Sequence, residues 1–394
     1  MVFKFKNKKR IFLDNATTTP VRNEVLKTMQ PYWNEKFGNP GTIHSFGMEA
    51  RKALEDSRKK IANILKCQSD EVIFTASGTE SNSLAVFGVL DRLEERGKDL
   101  SQFHIITTVM EHPSILHWFE KYEKKGVQVS KIGINEEGIV DLKQLRETLQ
   151  PNTILVSIMY VNNEIGTIQP ITKISHIIRD YSQKVGGATL NKIIFHTDAS
   201  QAPLYMNLDV NSLGVDMLTI DGQKIYGPKG VGVLFRKGGI ELNPLLVGGS
   251  QEMGLRAGTE NIPLIVGLAK ALELAEEDKT KEIDRLTKIR NHFIDRVLVE
   301  IEGSQLNGSR EKRLPNSVNI SIPNIDSEFM IIKLDNKGIA CSSKSACMGK
   351  VKKDSYVVEA LGNKIGNSLR FTLGRDTTMK DVNFVVDTLK VLIK

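Results

Sequence analysis

The sequence predicts an α/β fold on a largely parallel sheet, and three observations carry that prediction. Short apolar runs bounded by turn residues recur through the first two-thirds of the chain. Several are apolar throughout rather than alternating, the pattern of strands covered on both faces. Helix-compatible stretches lie between many of them, as crossover connections between parallel strands require.

In chain order the predicted strands are residues 72–75, 104–108, 154–158, 193–197, 217–220 and 231–235. A helix is expected over 49–65, and another from Ser81 to Gly88, directly after the small-residue turn 76–80. The character changes at Ile262. A stretch rich in Leu, Ile and Ala is followed by a charged interruption and then by Ile283, Leu286, Phe293, Val297 and Ile301 at helical spacing. One or two long helices are therefore expected, leading into a smaller α+β domain. The predicted division is a large domain of residues 15–262 and a small one of 1–14 with 263–394.

Composition narrows the class without naming a function. The 394 residues are 40% hydrophobic and 26% charged, the profile of an ordinary globular protein. No apolar stretch reaches the ~18 residues of a membrane span, and no secretory leader is visible. Three cysteines, Cys67, Cys341 and Cys347, do not make a disulfide framework and fit a reducing compartment, so the expected location is cytoplasmic. The net charge of +7 is spread without the interleaved aromatics of a strand-binding surface, so no direct nucleic-acid contact is expected. Cys341 and Cys347 lack a second ligand pair, so no metal site is expected.

Chemistry-bearing residues gather where the predicted strands end, which is where open α/β sheets hold ligands. Strand 72–75 leads into Ser77, Gly78 and Thr79 and a helix start, an arrangement that favours an anion. Asp198 ends strand 193–197, His112 follows strand 104–108, and Asn163 follows strand 154–158. Lys224 stands just beyond strand 217–220, in D-G-Q-K-I-Y-G-P-K-G. Singly, each has an ordinary reading: helix cap, structural histidine, turn residue, surface lysine. Together they supply an anion cradle, a carboxylate, a ring and an amine at one sheet edge. Pyridoxal phosphate requires those four. No G-x-G-x-x-G or Walker loop is present for a nucleotide.

Motifs along nearly the whole chain then resemble the cysteine desulfurases of aminotransferase class V. They include L-D-N-A-T-T (13–18), F-T-A-S-G-T-E-S-N (74–82), E-H (111–112), V-N-N-E-I-G (161–166), D-A-S-Q (198–201), K-I-Y-G-P-K-G (224–230), R-A-G-T-E-N (256–261), S-A-C (345–347) and R-F-T-L-G-R (370–375). The resemblance implies a fold-type I pyridoxal-phosphate enzyme with a seven-stranded-type, mainly parallel sheet. It implies that Lys224 carries the cofactor as a Schiff base, that Asp198 pairs with the ring nitrogen, and that Gln201 and Asn163 lie near the ring hydroxyl. His112 would stack on the ring and handle substrate protons, and Gly78 and Thr79 would hold phosphate. Thr259 would reach in from a second copy, which makes the expected assembly a homodimer. Asn39 and Arg370 would clamp the substrate carboxylate.

Cys347 matches the family nucleophile, in a polar loop at about 342–355 that also holds Lys344, Lys350, Lys352 and Lys353. The implied reaction takes sulfur from L-cysteine, leaves a Cys347 persulfide and releases L-alanine. The sulfur then passes to an acceptor protein, either an iron–sulfur scaffold or a carrier for tRNA thiolation. A selenocysteine lyase or another class-V lyase or aminotransferase is the first alternative. A non-catalytic, partner-binding relative is the second.

The chain departs from the family at Asp221 and Gln223, where serine and histidine usually meet the phosphate. Gln223 can donate through its amide, whereas an ionised Asp221 cannot. A carboxylate about 5 Å from a phosphate charge costs on the order of 3 kcal/mol at an effective dielectric of ~20. Asp221 is therefore expected to turn away and to be satisfied by backbone N–H groups or a cation.

Overall fold

Apolar runs that cannot leave either face wet become interior strands, and helices must cover both sides of the sheet they form. The computed structural model describes residues 10–185, 192–343, 355–362 and 367–393. After a two-residue strand β1 (Ile11–Phe12), the central sheet is built from β2 (Val72–Thr75), β3 (His104–Thr108), β4 (Gln128–Ile132), β5 (Thr153–Ser157), β6 (Ile194–Asp198), β7 (Met217–Asp221) and β8 (Gly232–Arg236). Its order is β2-β8-β7-β6-β5-β3-β4. Only β8 runs against its neighbours β2 and β7; the remaining pairs are parallel.

Strands β2, β3, β5 and β7 are buried at every residue, as their sequences require. The edge strand β4 escaped the sequence reading. It carries Gln128, Ser130 and Lys131, and only Ile132 is buried. Several boundaries move by one residue relative to the prediction, and two of those shifts matter. Asp198 becomes the last residue of β6, in register with Thr219, and Asp221 the last residue of β7, opposite Gly232.

The Gly78–Glu95 helix starts three residues before the predicted Ser81, because the Ser77 hydroxyl accepts the N–H of Glu80 and caps it. Beyond the sheet, one unbroken helix spans Ile262–Glu300, not two. The charged interruption is mostly Glu and Lys, both good helix formers, with no glycine or proline to break it. The chain then adds β9 (Gln305–Leu306), β10 (Ser317–Ser321), β11 (Ile339–Ala340) and β12 (Ser368–Thr372). Strands β12, β10 and β9 form an antiparallel sheet, while β1 pairs parallel with β11. The N-terminal stretch thus joins the C-terminal elements.

Candidate active site

The carboxyl ends of the parallel strands open onto a cavity of about 170 Å³. Its wall brings together Gly78, Thr79, His112, Asn163, Asp198 and Gln201 with Asp221, Gln223, Lys224 and Arg370. These residues come from the last positions of β6 and β7, from the segments that follow β2, β3, β5, β6 and β7, and from β12. The sheet does the gathering, since each loop leaves the same edge.

Asp198 and His112 are joined by two residues to which the sequence reading gave no role. Asn82 donates its amide both to Asp198 Oδ2, at 2.7 Å, and to Ser114 Oγ, at 2.9 Å. Ser114 Oγ in turn lies 2.8 Å from His112 Nδ1, and the Ser114 N–H donates to the same nitrogen. An Nδ1 that accepts leaves the proton of the neutral ring on Nε2. Burial holds His112 below its ordinary pKa, with the charge of Asp198 opposing. The ring is therefore neutral near pH 7. Asp198 Oδ1 accepts from the Ser200 N–H at 2.9 Å, so both carboxylate oxygens are fixed while the residue still borders the cavity.

Lys224 is the third residue of a tight turn, Gly222–Lys224, that leaves β7. Its amine donates to the carbonyls of Ala16 (2.9 Å) and Thr17. Gln201 Nε2 donates to the same Ala16 carbonyl. Arg370 is 1% exposed. It donates from Nη2 to Asp14 and from Nη1 to the Asn163 carbonyl, each at 3.0 Å. Its Nε is buried and has no partner among the described residues.

The cavity also holds a small cradle. No acceptor among the described residues takes the N–H of Gly78 or Thr79, the first two positions of their helix. A Cβ on Gly78 would lie 2.9 Å from Ser200 Oγ and 3.0 Å from Asp221 Cβ, so only glycine leaves this space open. Asp221 accepts from a backbone N–H, as expected: Gln223 N donates to Oδ1 at 3.2 Å. It does not turn away from the cavity, however, and the Gln223 amide donates to Asp221 Oδ2 at 3.1 Å.

Three expected site residues are not gathered here. Cys347, with Lys344, Lys350, Lys352 and Lys353, lies outside the described residues. Asn39 sits on an exposed turn, where its Oδ1 accepts from the Gly41 N–H. Thr259 is exposed and borders a different cavity, beside Arg256 and Glu252. The other two cysteines read as inert. Burial pushes the Cys341 and Cys67 thiols up to about 12.

Glu111, in the E-H motif, was assigned no role. It is fully buried, with Oε1 accepting from Thr108 Oγ1 (2.8 Å) and Met159 N–H (2.9 Å). Oε2 has no partner among the described residues. Burial pushes its carboxyl up from 4.5 to about 8. The folded protein thus keeps a proton that the unfolded chain loses, and stability falls as pH rises from about 4.5 to about 8. Glu111→Gln removes that slope. Urea unfolding at pH 5 and pH 9 is expected to show the variant gaining on wild type at the higher pH, by on the order of a few kcal/mol. Parallel pH profiles would show that the carboxyl titrates normally.

The sequence pattern described as aminotransferase class-V matches residues 11–385. The chain is 44% identical over 390 residues to cysteine desulfurase IscS of Dictyoglomus turgidum, covering 98% of this chain and 95% of that one. It is 41% identical over 386 residues to cysteine desulfurase IscS 1 of Archaeoglobus fulgidus, covering 97% of both. Among solved structures, a NifS-like protein superposes with a TM-score of 0.89 at 31% identity, over 98% of this chain and 99% of that one. A structure of SspA in complex with cysteine matches with a TM-score of 0.78 at 31% identity, over 93% and 99%.

Proposed function

The chain belongs to the class-V aminotransferases and, among them, to the cysteine desulfurases, and from that membership we propose that it converts L-cysteine to L-alanine and holds the sulfur on Cys347. The single observation that supports this most is the convergence of an amine, a fixed carboxylate, a neutral imidazole and open helix N–H groups on one cavity.

The family depends on pyridoxal phosphate, and the residues present fit that group: the space beside Gly78 is one a Cβ would fill. Lys224 would hold it covalently and Asp198 would face its ring nitrogen. His112 would lie against the ring, with Asn163 and Gln201 near its hydroxyl. Gly78 and Thr79 would take its phosphate. When bound, it supplies an electron sink that makes bonds at the substrate's Cα and Cβ breakable.

The chain's own groups perform the remaining tasks. Arg370, on the cavity wall, binds the substrate carboxylate through its guanidinium. Lys224 moves the Cα proton, and its amine stays near the reacting carbon because the turn that carries it is pinned to β7. His112, kept neutral, serves protons at the substrate sulfur. The Cys347 thiolate attacks that sulfur: an S–S bond forms as the Cβ–S bond breaks, and the carbon takes up a proton to give alanine.

In this reading residues 15–262 form the cofactor-binding unit, and 1–14 with 263–394 the smaller unit that bears Cys347. The assembly is a homodimer, and exposed Thr259, away from its own cavity, suits a residue used by a second copy. A sulfur-acceptor protein, iron–sulfur scaffold or tRNA-thiolation carrier, takes the product. No helix among the described residues is long and apolar enough to cross a membrane, and the proposed location is the cytoplasm.

The test is incubation with L-cysteine, with alanine quantified and the Cys347 peptide weighed. One added sulfur atom, lost on reduction, is expected. Alanine formation at the wild-type rate by Cys347→Ser would instead point to a lyase that needs no persulfide.

A further inference from the structure

The cavity built for an anion contains a carboxylate. Asp221 Oδ2 lies 3.3 Å from the point a Cβ on Gly78 would occupy, on the side of the helix N-terminus where the phosphate is assigned. The side chain is 6% exposed and fixed, capping the turn that carries Lys224. The Gln223 amide beside it is already bonded to it, and the Ser200 hydroxyl lies 2.9 Å from the same Cβ point. The other charged groups on the cavity wall, Lys224, Arg370 and Asp198, are held by their own partners: the Ala16 and Thr17 carbonyls, Asp14, and Asn82 with Ser200. His112, also on the wall, is neutral.

We propose that Asp221 is an opposing charge built into the phosphate cradle, so that this enzyme holds its phosphorylated cofactor loosely and exchanges it. The inference rests on the cofactor reading above and adds a property that the reading does not contain. Two open helix N–H groups and the helix dipole attract the phosphate. The carboxylate subtracts from that attraction. Repulsion between unit charges about 5 Å apart at an effective dielectric of ~20 corresponds to on the order of a hundredfold in affinity. Small rearrangements reduce this without abolishing it.

Asp221→Asn removes the charge and keeps the shape and the cap, because asparagine is as good a capping residue as aspartate. The full chain, freed of cofactor, is titrated with pyridoxal phosphate and separately with unphosphorylated pyridoxal, and binding is followed by absorbance. The variant is expected to bind pyridoxal phosphate at least tenfold more tightly and release it more slowly, with pyridoxal affinity unchanged. Asp221→Ser serves as the second variant, and thermal melting confirms that each is folded. Unchanged or weaker binding of pyridoxal phosphate by both variants overturns the proposal, as does equal tightening for both ligands. Capture of the cofactor at Lys224 with unaltered affinity sinks this inference alone. Absence of capture in wild type and variants alike sinks the functional reading with it.

Discussion

Lys224→Ala is expected to lower alanine formation from L-cysteine by at least 10³-fold and to leave position 224 unlabelled after borohydride reduction with pyridoxal phosphate. In the proposed chemistry the amine both holds the cofactor and moves the Cα proton, and a positioned acid–base group alone contributes on the order of 10²–10⁴-fold. The fold explains why no other lysine can stand in. Gly222, which opens the turn, has no room for a side chain, since a Cβ there would lie 2.9 Å from the Pro228 carbonyl oxygen and 3.0 Å from that of Val231. Tyr226 is held with φ at 61°, its N–H on Thr19 Oγ1 and its carbonyl on the Arg22 N–H. A backbone so constrained delivers one side chain to one place. Lys224→Arg is the informative companion. It keeps a cation able to reach the Ala16 and Thr17 carbonyls, but a guanidinium neither deprotonates nor condenses with an aldehyde. It should be as inactive as the alanine variant. Activity within tenfold of wild type in either variant would refute the assignment.

The parts of this site that were legible in the sequence are those that local chain chemistry fixes. Asp198, Lys224 and Gly78 each stand at or just past the end of a run of buried residues, so strand-end position and residue type sufficed to single them out. The network that connects them was not legible. Asn82 lies 116 residues from Asp198 and 32 from Ser114, and only the sheet brings the three together. Glu111 did leave a signal, a carboxylate between Met110 and His112 just past a wholly buried strand, where burial carries a cost. The sheet shows the same division. Strands with two covered faces announced themselves, while the polar edge strand β4 and the reversed direction of β8 depend on neighbours that no local pattern names. Asp221 was noticed as a departure, but the expectation that it would turn away assumed a phosphate already in place. In the protein alone its nearest donors are the N–H and amide of Gln223, and these hold it at the cavity.

Asp198→Asn should reduce alanine formation by on the order of 10²–10³-fold, the usual loss when one preorganised electrostatic partner of the developing charge is removed. The substitution is a fair test of charge because the site can absorb the amide. Asn82 Oδ1 is buried without a partner among the described residues, so a rotation of the Asn82 amide would offer an acceptor to the new NH₂. The Ser200 N–H would still meet the remaining oxygen. Melting temperature should therefore move little while turnover collapses. A purely structural Asp198 would give the reverse, lost stability with turnover kept in the folded fraction. The visible absorption of the cofactor-loaded protein separates the two further, since the carboxylate is assigned to the ring nitrogen and its loss should shift that band. An Asp198→Asn protein with wild-type turnover and an unaltered spectrum would mean that the β6 carboxylate only caps the turn at Ser200, and the electron sink would need another anchor.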